Sequence, residues 1–144
     1  MANANRVDPY ANFSFLVELD GITRAGFHDV SGLESTINVH SYKEGGADFE
    51  SKLPMRTTYS NIVLKWGLTD DLEMYTWHRQ AELGSVQRKN GSVILRDRQG
   101  NEKVRWNFFA AWPTKYTGPT LNSEGNDVAI ETLELAHEGL ERVS

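Results

Sequence analysis

Three features of this 144-residue chain predict a mainly β domain, an antiparallel β-sandwich or partial barrel with one docked helix. Apolar and polar residues alternate with period two in several separate segments. Short, turn-forming links join most of these segments, which favours antiparallel pairing. A single stretch near the middle carries helical periodicity with a start and a stop signal.

Phe13, Phe15, Val17 and Leu19 share one face of the first strand, and Asp20-Gly21 then supplies a tight turn. From Val30 to Tyr42 the pattern reads as one strand. Leu33, Ser35, Ile37 and Val39 form its dry face, and Glu34, Thr36, Asn38 and His40 its wet one. Lys43 to Thr58 breaks the alternation, with Gly45-Gly46 and Pro54 inside it, and reads as a long loop of the functional or the flexible kind. Strand character resumes from Tyr59 to Trp66, with Ile62, Leu64 and Trp66 on one side.

Thr69-Asp70-Asp71 marks a helix start by capping and by charge at the positive end of the dipole. The helix runs to Leu83 and stops at Gly84. Leu72, Tyr75, Thr76, Arg79 and Leu83 form one stripe, and Met74, Trp77 and Ala81 another beside it, so the helix should be largely covered. Residues 92–96 and 103–108 flank Asp97-Arg98-Gln99-Gly100-Asn101 as a hairpin, whose second strand ends at Trp112-Pro113. Tyr116 to Leu121 reads as a short edge strand kinked at Gly118-Pro119, and residues 124–127 as a turn. In the last strand, Val128 to His137, a bulge between Ile130 and Leu133 reconciles two phases of alternation. The total is about seven strands and one helix.

Length implies one domain over 1–144, with a loose arm at 1–7. The net charge of −5 opposes binding to nucleic acid through phosphate contacts or docking on an anionic membrane. No apolar run reaches the roughly 18 residues of a membrane span, and the start lacks a signal-peptide core, so a cytoplasmic protein, or one exported without a cleaved signal, is expected. The absence of cysteine excludes disulfides, thiolate metal sites and cysteine nucleophiles.

No constellation for chemistry emerges. His28, His40, His78 and His137 lack metal-ligand spacing. Ser31-Gly32 and Gly91-Ser92 are turn or strand-edge residues rather than nucleophile elbows. Asp70-Asp71 is explained by capping, and Glu131 and Glu134 by exposure on a strand. No phosphate-binding loop is present. Trp66, Trp77, Trp106 and Trp112 are expected in the core, the alternative being a monomeric β-sandwich binding module with an aromatic ligand surface. No enzymatic activity and no cofactor are expected. Open sheet edges with few defences point instead to assembly.

Asp8-Pro9-Tyr10-Ala11-Asn12-Phe13, Val30-Ser31-Gly32-Leu33-Glu34, Tyr42-Lys43-Glu44-Gly45-Gly46, Lys52-Leu53-Pro54 and Gly67-Leu68-Thr69-Asp70-Asp71 occur in order along the chain. Trp106-Asn107-Phe108, Ala111-Trp112-Pro113-Thr114-Lys115-Tyr116, Gly118-Pro119 and 131–140 follow them. In this order and spacing, from about Asp8 to Val143, the chain resembles the inner tube proteins of contractile phage tails and of extracellular contractile injection systems. Met55 stands where that pattern carries Gly.

The resemblance implies hexameric rings with a continuous β-barrel lumen, stacked into a hollow tube. It also implies a fold related to the type VI secretion tube protein. The implied partners are further copies of the chain, a contractile sheath protein, baseplate and tail-terminator proteins, and DNA or effector protein as cargo in the lumen. The implied setting is assembly in the bacterial cytoplasm, into a virion tail or an injection particle. With that picture, alternation makes Thr36, Asn38, His40, Asn61, Lys65, Lys103, Arg105 and Asn107 the lumen-facing candidates. The 43–58 loop, with Tyr42, Lys43, Glu44, Gly45, Gly46, Lys52, Leu53 and Pro54, becomes the inter-ring contact. Wherever the net negative charge faces a channel it would repel DNA and let it slide; Lys65, Lys103 and Arg105 leave the local sign open.

Overall fold

A computed structural model describes residues 14–24, 26–46 and 48–144. The expected arm at 1–7, Phe13 and the motif at 8–13 lie outside the described residues. The elements are β1 (Ser14–Leu19), β2 (Ile22–Arg24), β3 (Phe27–Ser31), β4 (Ser35–Tyr42), β5 (Ser51–Tyr59), β6 (Ile62–Gly67), α1 (Glu73–Glu82), β7 (Lys89–Arg96), β8 (Glu102–Thr117), β9 (Ile130–Ala136) and β10 (Gly139–Arg142). Every strand pairing is antiparallel. The predicted class therefore holds, a mainly β fold with one helix.

The main sheet runs β2-β1-β7-β8-β9-β6-β3, with β10 also on β8. β8 organises it. Its first half pairs with β7 and β10, and its second half with β9. The two halves of the sheet fold over one core. Val17, Leu19, Val93 and Phe108 enter it from one side, and Ile62, Leu64, Trp66, Leu133 and Leu135 from the other. Asp20-Gly21 forms the expected turn, with Gly21 at φ +77° and Leu19 paired with Ile22. The hairpin at 97–101 also forms, with Gly100 at φ +84° and the Asp97 carboxylate accepting the Gln99 and Asn101 amides at 2.9 Å.

Several expectations are corrected. The strand expected over Val30–Tyr42 divides at Gly32, whose φ is +87° and where a Cβ would lie 2.0 Å from the Asn61 carbonyl oxygen. β3 stays in the main sheet, while among the described residues β4 pairs only with β5, in a separate two-stranded ribbon. β4 has no dry face: Ile37 is 57% exposed and Val39 60%. The loop expected over 43–58 is in its second half the strand β5. Met55 and Arg56 both stand opposite Asn38, because Ile37 pairs with Thr57 and Val39 with Pro54. This bulge hides the alternation, and Met55 sits in it without positive φ. Pro54 is tolerated on a strand whose outer edge carries no partner among the described residues.

The helix starts at Glu73, later than expected. Thr69 Oγ1 accepts the Asp71 amide at 3.2 Å and Asp71 Oδ1 the Glu73 amide at 3.0 Å, so both order the approach to α1. The helix is not largely covered. Met74 and Trp77 are buried, whereas Leu72, Tyr75 and Leu83 of the other stripe are exposed. Nor does β8 end at Trp112-Pro113. Pro113 is buried opposite Leu135, and a bulge before Lys115 absorbs its missing donor. The edge strand expected from Tyr116 is the end of β8. The last strand has no bulge, for β9 pairs in register from Ile62↔Leu135 to Gly67↔Ile130. Its inward positions are Glu131, Leu133 and Leu135, and Val128 lies outside the strand. A buried carboxylate in the apolar series had imitated a change of phase.

Candidate functional site

β3 leads into β4 and β5 into β6, while β3 pairs with β6 and β4 with β5. The chain from 27 to 67 is thus one long two-stranded ribbon, bent at 32–34 and 60–61, whose outer half leaves the body. Its base is fixed by side chains. Ser60 Oγ donates to Glu34 Oε2 at 2.9 Å. The His137 ring lies 5.5 Å from that of Tyr59 and spans two carbonyls, Nε2 to Ser60 O at 2.8 Å and Nδ1 to Gly139 O at 3.0 Å.

The residues expected to contact a neighbouring ring do come together in the outer half of this ribbon. Tyr42 pairs with Ser51, Ser41 with Lys52, His40 with Leu53 and Val39 with Pro54. Lys43, Glu44, Gly45 and Gly46 form the tip, where the Tyr42 hydroxyl donates to Glu44 Oε1 at 3.1 Å. Ile37, Val39, Phe49, Leu53 and Met55 are all exposed. Lys52 and Arg56 are the fully charged side chains of β4 and β5, and neither strand contains a carboxylate.

The lumen candidates do not share one surface. Thr36, Asn38 and His40 alternate along β4, and Asn61 sits in the bend. Lys65 lies on β6 between Asp29 and Thr132, on the side away from the core. Lys103, Arg105 and Asn107 lie on β8, on the outer face of the other half of the sheet. Lys65 and Arg105 thus lie on the core-averted faces of different strands, β6 and the first half of β8. Arg105 donates to Glu102 Oε1 at 2.7 Å and lies 3.7 Å from Glu18 Oε2. The hydrogen bond from Arg105 holds the Glu102 carboxyl below its ordinary range. Lys103 is 3.6 Å from Asp97, and Asn107 accepts from Ser92 Oγ at 2.6 Å.

Glu131, expected to face solvent, is buried. Trp66 Nε1 donates to its Oε1 at 3.1 Å and the Tyr116 hydroxyl to its Oε2 at 2.5 Å. Burial, then the bond to Glu131, pushes the Tyr116 hydroxyl up to about 12. The Tyr75 ring of α1 meets Tyr116 edge-on at 5.1 Å, so this cluster lies where the helix docks. A carboxylate at an inward position of an alternating strand was its available signal.

The aromatic platform is not assembled. Trp66 and Trp77 are buried, Trp106 packs against the core and Trp112 is half-buried. Among the described residues, no group of three His, Asp or Glu side chains is placed to hold a metal ion, and no helix is long and apolar enough to cross a membrane.

Residues 11–141 match the family of the T4-like virus tail tube protein gp19. No curated protein sequence matches the chain. Among solved structures, it is similar to a chain of the extended PVC sheath–tube complex of an extracellular contractile injection system. The TM-score is 0.87 and the identity 25%, over 94% of this chain and 92% of that one. It is similar in fold to a chain of the six-fold symmetrised anti-feeding prophage baseplate, with TM-score 0.84 and 21% identity over 96% and 97%. Hcp1 from Flavobacterium johnsoniae shares the fold at TM-score 0.60 and 17% identity, over 90% and 94%.

Proposed function

The chain belongs to the T4-like virus tail tube protein gp19 family, and from that premise we propose that its copies close into hexameric rings that stack into the hollow inner tube of a contractile tail or injection particle. The tube assembles in the bacterial cytoplasm within a contractile sheath, between a baseplate and a tail terminator. Sheath contraction drives it through a target envelope, and its lumen conducts DNA or protein cargo. The likeness to a chain of a sheath–tube complex supports the sheath as partner, and the likeness to a chain of a six-fold symmetrised baseplate supports the ring.

The observation that carries this reading is the β4–β5 ribbon. A two-stranded sheet whose outer edges carry no partner among the described residues and whose faces are exposed is marginal alone in water. Pairing with further copies of the chain satisfies those edges. The ribbon extends the β3–β6 pair, so the wall of the channel is that half of the sheet together with the ribbon. Thr36, Asn38, His40, Asn61 and Lys65 face the lumen. Lys103, Arg105 and Asn107, on the core-averted face of the first half of β8, face away from it.

Deleting Gly45 to Lys52 tests the role of the ribbon. The variant should keep the circular dichroism and melting behaviour of a folded subunit and form no tubes in electron micrographs. Tubes of normal length would overturn the role.

A further inference from the structure

We infer that the wall which β3, β6, β9 and the end of β8 present to the channel is charge-balanced, and that Asp29 and Glu134 set the balance, so that the tube does not select its cargo by the sign of its charge. This deepens the tube reading above and rests on it.

Two rows of side chains cross these four strands on the face away from the core. Asp29 is the register partner of Lys65, Lys65 of Thr132, and Thr132 of Thr117. Two residues along, Ser31 pairs with Val63, Val63 with Glu134, and Glu134 with Lys115. None of these eight side chains is buried, whereas Leu64, Trp66, Glu131 and Leu133, which alternate with them along β6 and β9, all are. Partners directly opposite on antiparallel strands share a face, so the rows form one surface.

Each row holds one carboxylate and one ammonium group. Asp29 stands directly opposite Lys65, where Cβ atoms are about 4.5–5.5 Å apart, and Lys115 Nζ lies 3.9 Å from Glu134 Oε2. The charges sum to 2 − 2 = 0, so the net charge of −5 resides wholly outside this ladder. The flanks continue the mixture. His28 and Asp127 line the groove that Asp29 and Lys65 share at one end. Toward the ribbon, Glu34 accepts from Ser60 Oγ and Arg56 stands opposite Asn38. The repulsion of DNA expected from the net charge therefore has no source in the ladder. A polyanion meets neither a run of carboxylates that would repel it nor a basic stripe that would hold it. The ladder also carries no aromatic ring on which a base could stack. A polypeptide of either net charge meets paired charges and the hydroxyls of Ser31, Thr117 and Thr132.

Retention of charged probes by assembled tubes tests this. Wild-type tubes should retain neither a fluorescent oligothymidylate nor a fluorescent oligolysine. Asp29→Asn with Glu134→Gln leaves the two ammonium groups unopposed. Its tubes should retain the oligothymidylate at least about tenfold more than wild type, a gain that high salt removes. Lys65→Gln with Lys115→Gln should do the same for the oligolysine. Exchanging one pair, Glu134→Lys with Lys115→Glu, should leave retention as in wild type. The same probes fixed to beads too wide to enter a tube should show no gain. Where a variant of one sign does not assemble alone, tubes of that variant mixed with wild-type chain carry the same readout. Strong retention of either probe by wild-type tubes overturns the inference, as do variant tubes that retain no more than wild type. A gain with the bead-bound probes places the ladder on the exterior and also overturns it. Wild-type protein that never forms tubes contradicts the tube reading itself, a distinguishable failure.

Discussion

The Trp66 indole donates to the Glu131 carboxylate at 3.1 Å in a core where Trp66 is only 1% exposed. The pair joins β6 to β9 directly, since Trp66 and Glu131 are also register partners. A carboxylate is stable there because Tyr116 donates to its second oxygen, so both oxygens are satisfied.

Removing the carboxylate takes its acceptor from the buried Trp66 indole and from the half-buried Tyr116 hydroxyl. Glu131→Leu should destabilise the subunit by about 1.5–3 kcal/mol, the order of a hydrogen bond to a charged group. Glu131→Gln, which keeps an oxygen for Trp66, should lose less. Urea unfolding of both variants checks this, and equal losses would contradict the hydrogen-bond account.

The raised Tyr116 hydroxyl makes a prediction at alkaline pH. Its proton is held to about pH 12 in the folded chain, against about 10 for an ordinary tyrosine. The folded state therefore keeps a proton that the unfolded state releases. This contribution is complete below pH 10 and fades as pH rises from 10 to 12, by at most about 2.7 kcal/mol before solvent screening. Tyr116→Phe should flatten the alkaline decline in unfolding free energy. An unchanged decline would place its origin elsewhere.

Gly32 and Gly45 should respond differently to alanine. Gly32 has positive φ and a carbonyl oxygen where Cβ would lie, whereas Cβ at Gly45 meets nothing within 4 Å. Gly32→Ala should cost more than about 1 kcal/mol, and Gly45→Ala should stay within about 0.5 kcal/mol in the isolated subunit. Thermal melts of both proteins decide the matter.

The ribbon's apolar side chains should matter to assembly and not to the subunit. Ile37→Asp with Val39→Asp should leave unfolding within about 0.5 kcal/mol per site and abolish tubes. A large loss of subunit stability would show that these residues pack within one copy.

These contrasts explain what the residues disclosed. β1 and β6 were legible because each buries alternate side chains within one subunit, Val17 and Leu19 in one and Ile62 to Trp66 in the other, and β7 was legible as an apolar run whose Val93 and Ile94 are both buried. The ribbon was half legible. Both its faces are exposed in one copy, and the Met55–Arg56 bulge and Pro54 erase what alternation remains. Pro113 misled because a proline was expected to end a strand, and a bulge accommodates it instead. Leu72 and Leu83 are apolar without being buried, so a broad apolar stripe overstated the cover of α1. The division of Lys65 from Arg105 depends on which half of the folded sheet carries each, and alternation within a strand does not contain that information.

The central claim is that this chain builds a tube, and electron microscopy of the purified protein over a range of concentrations tests it most directly. The account predicts sixfold rings in end view and hollow, stacked tubes in side view, increasing with concentration and with crowding agent. A monomer at every concentration, crowding agent included, would contradict it.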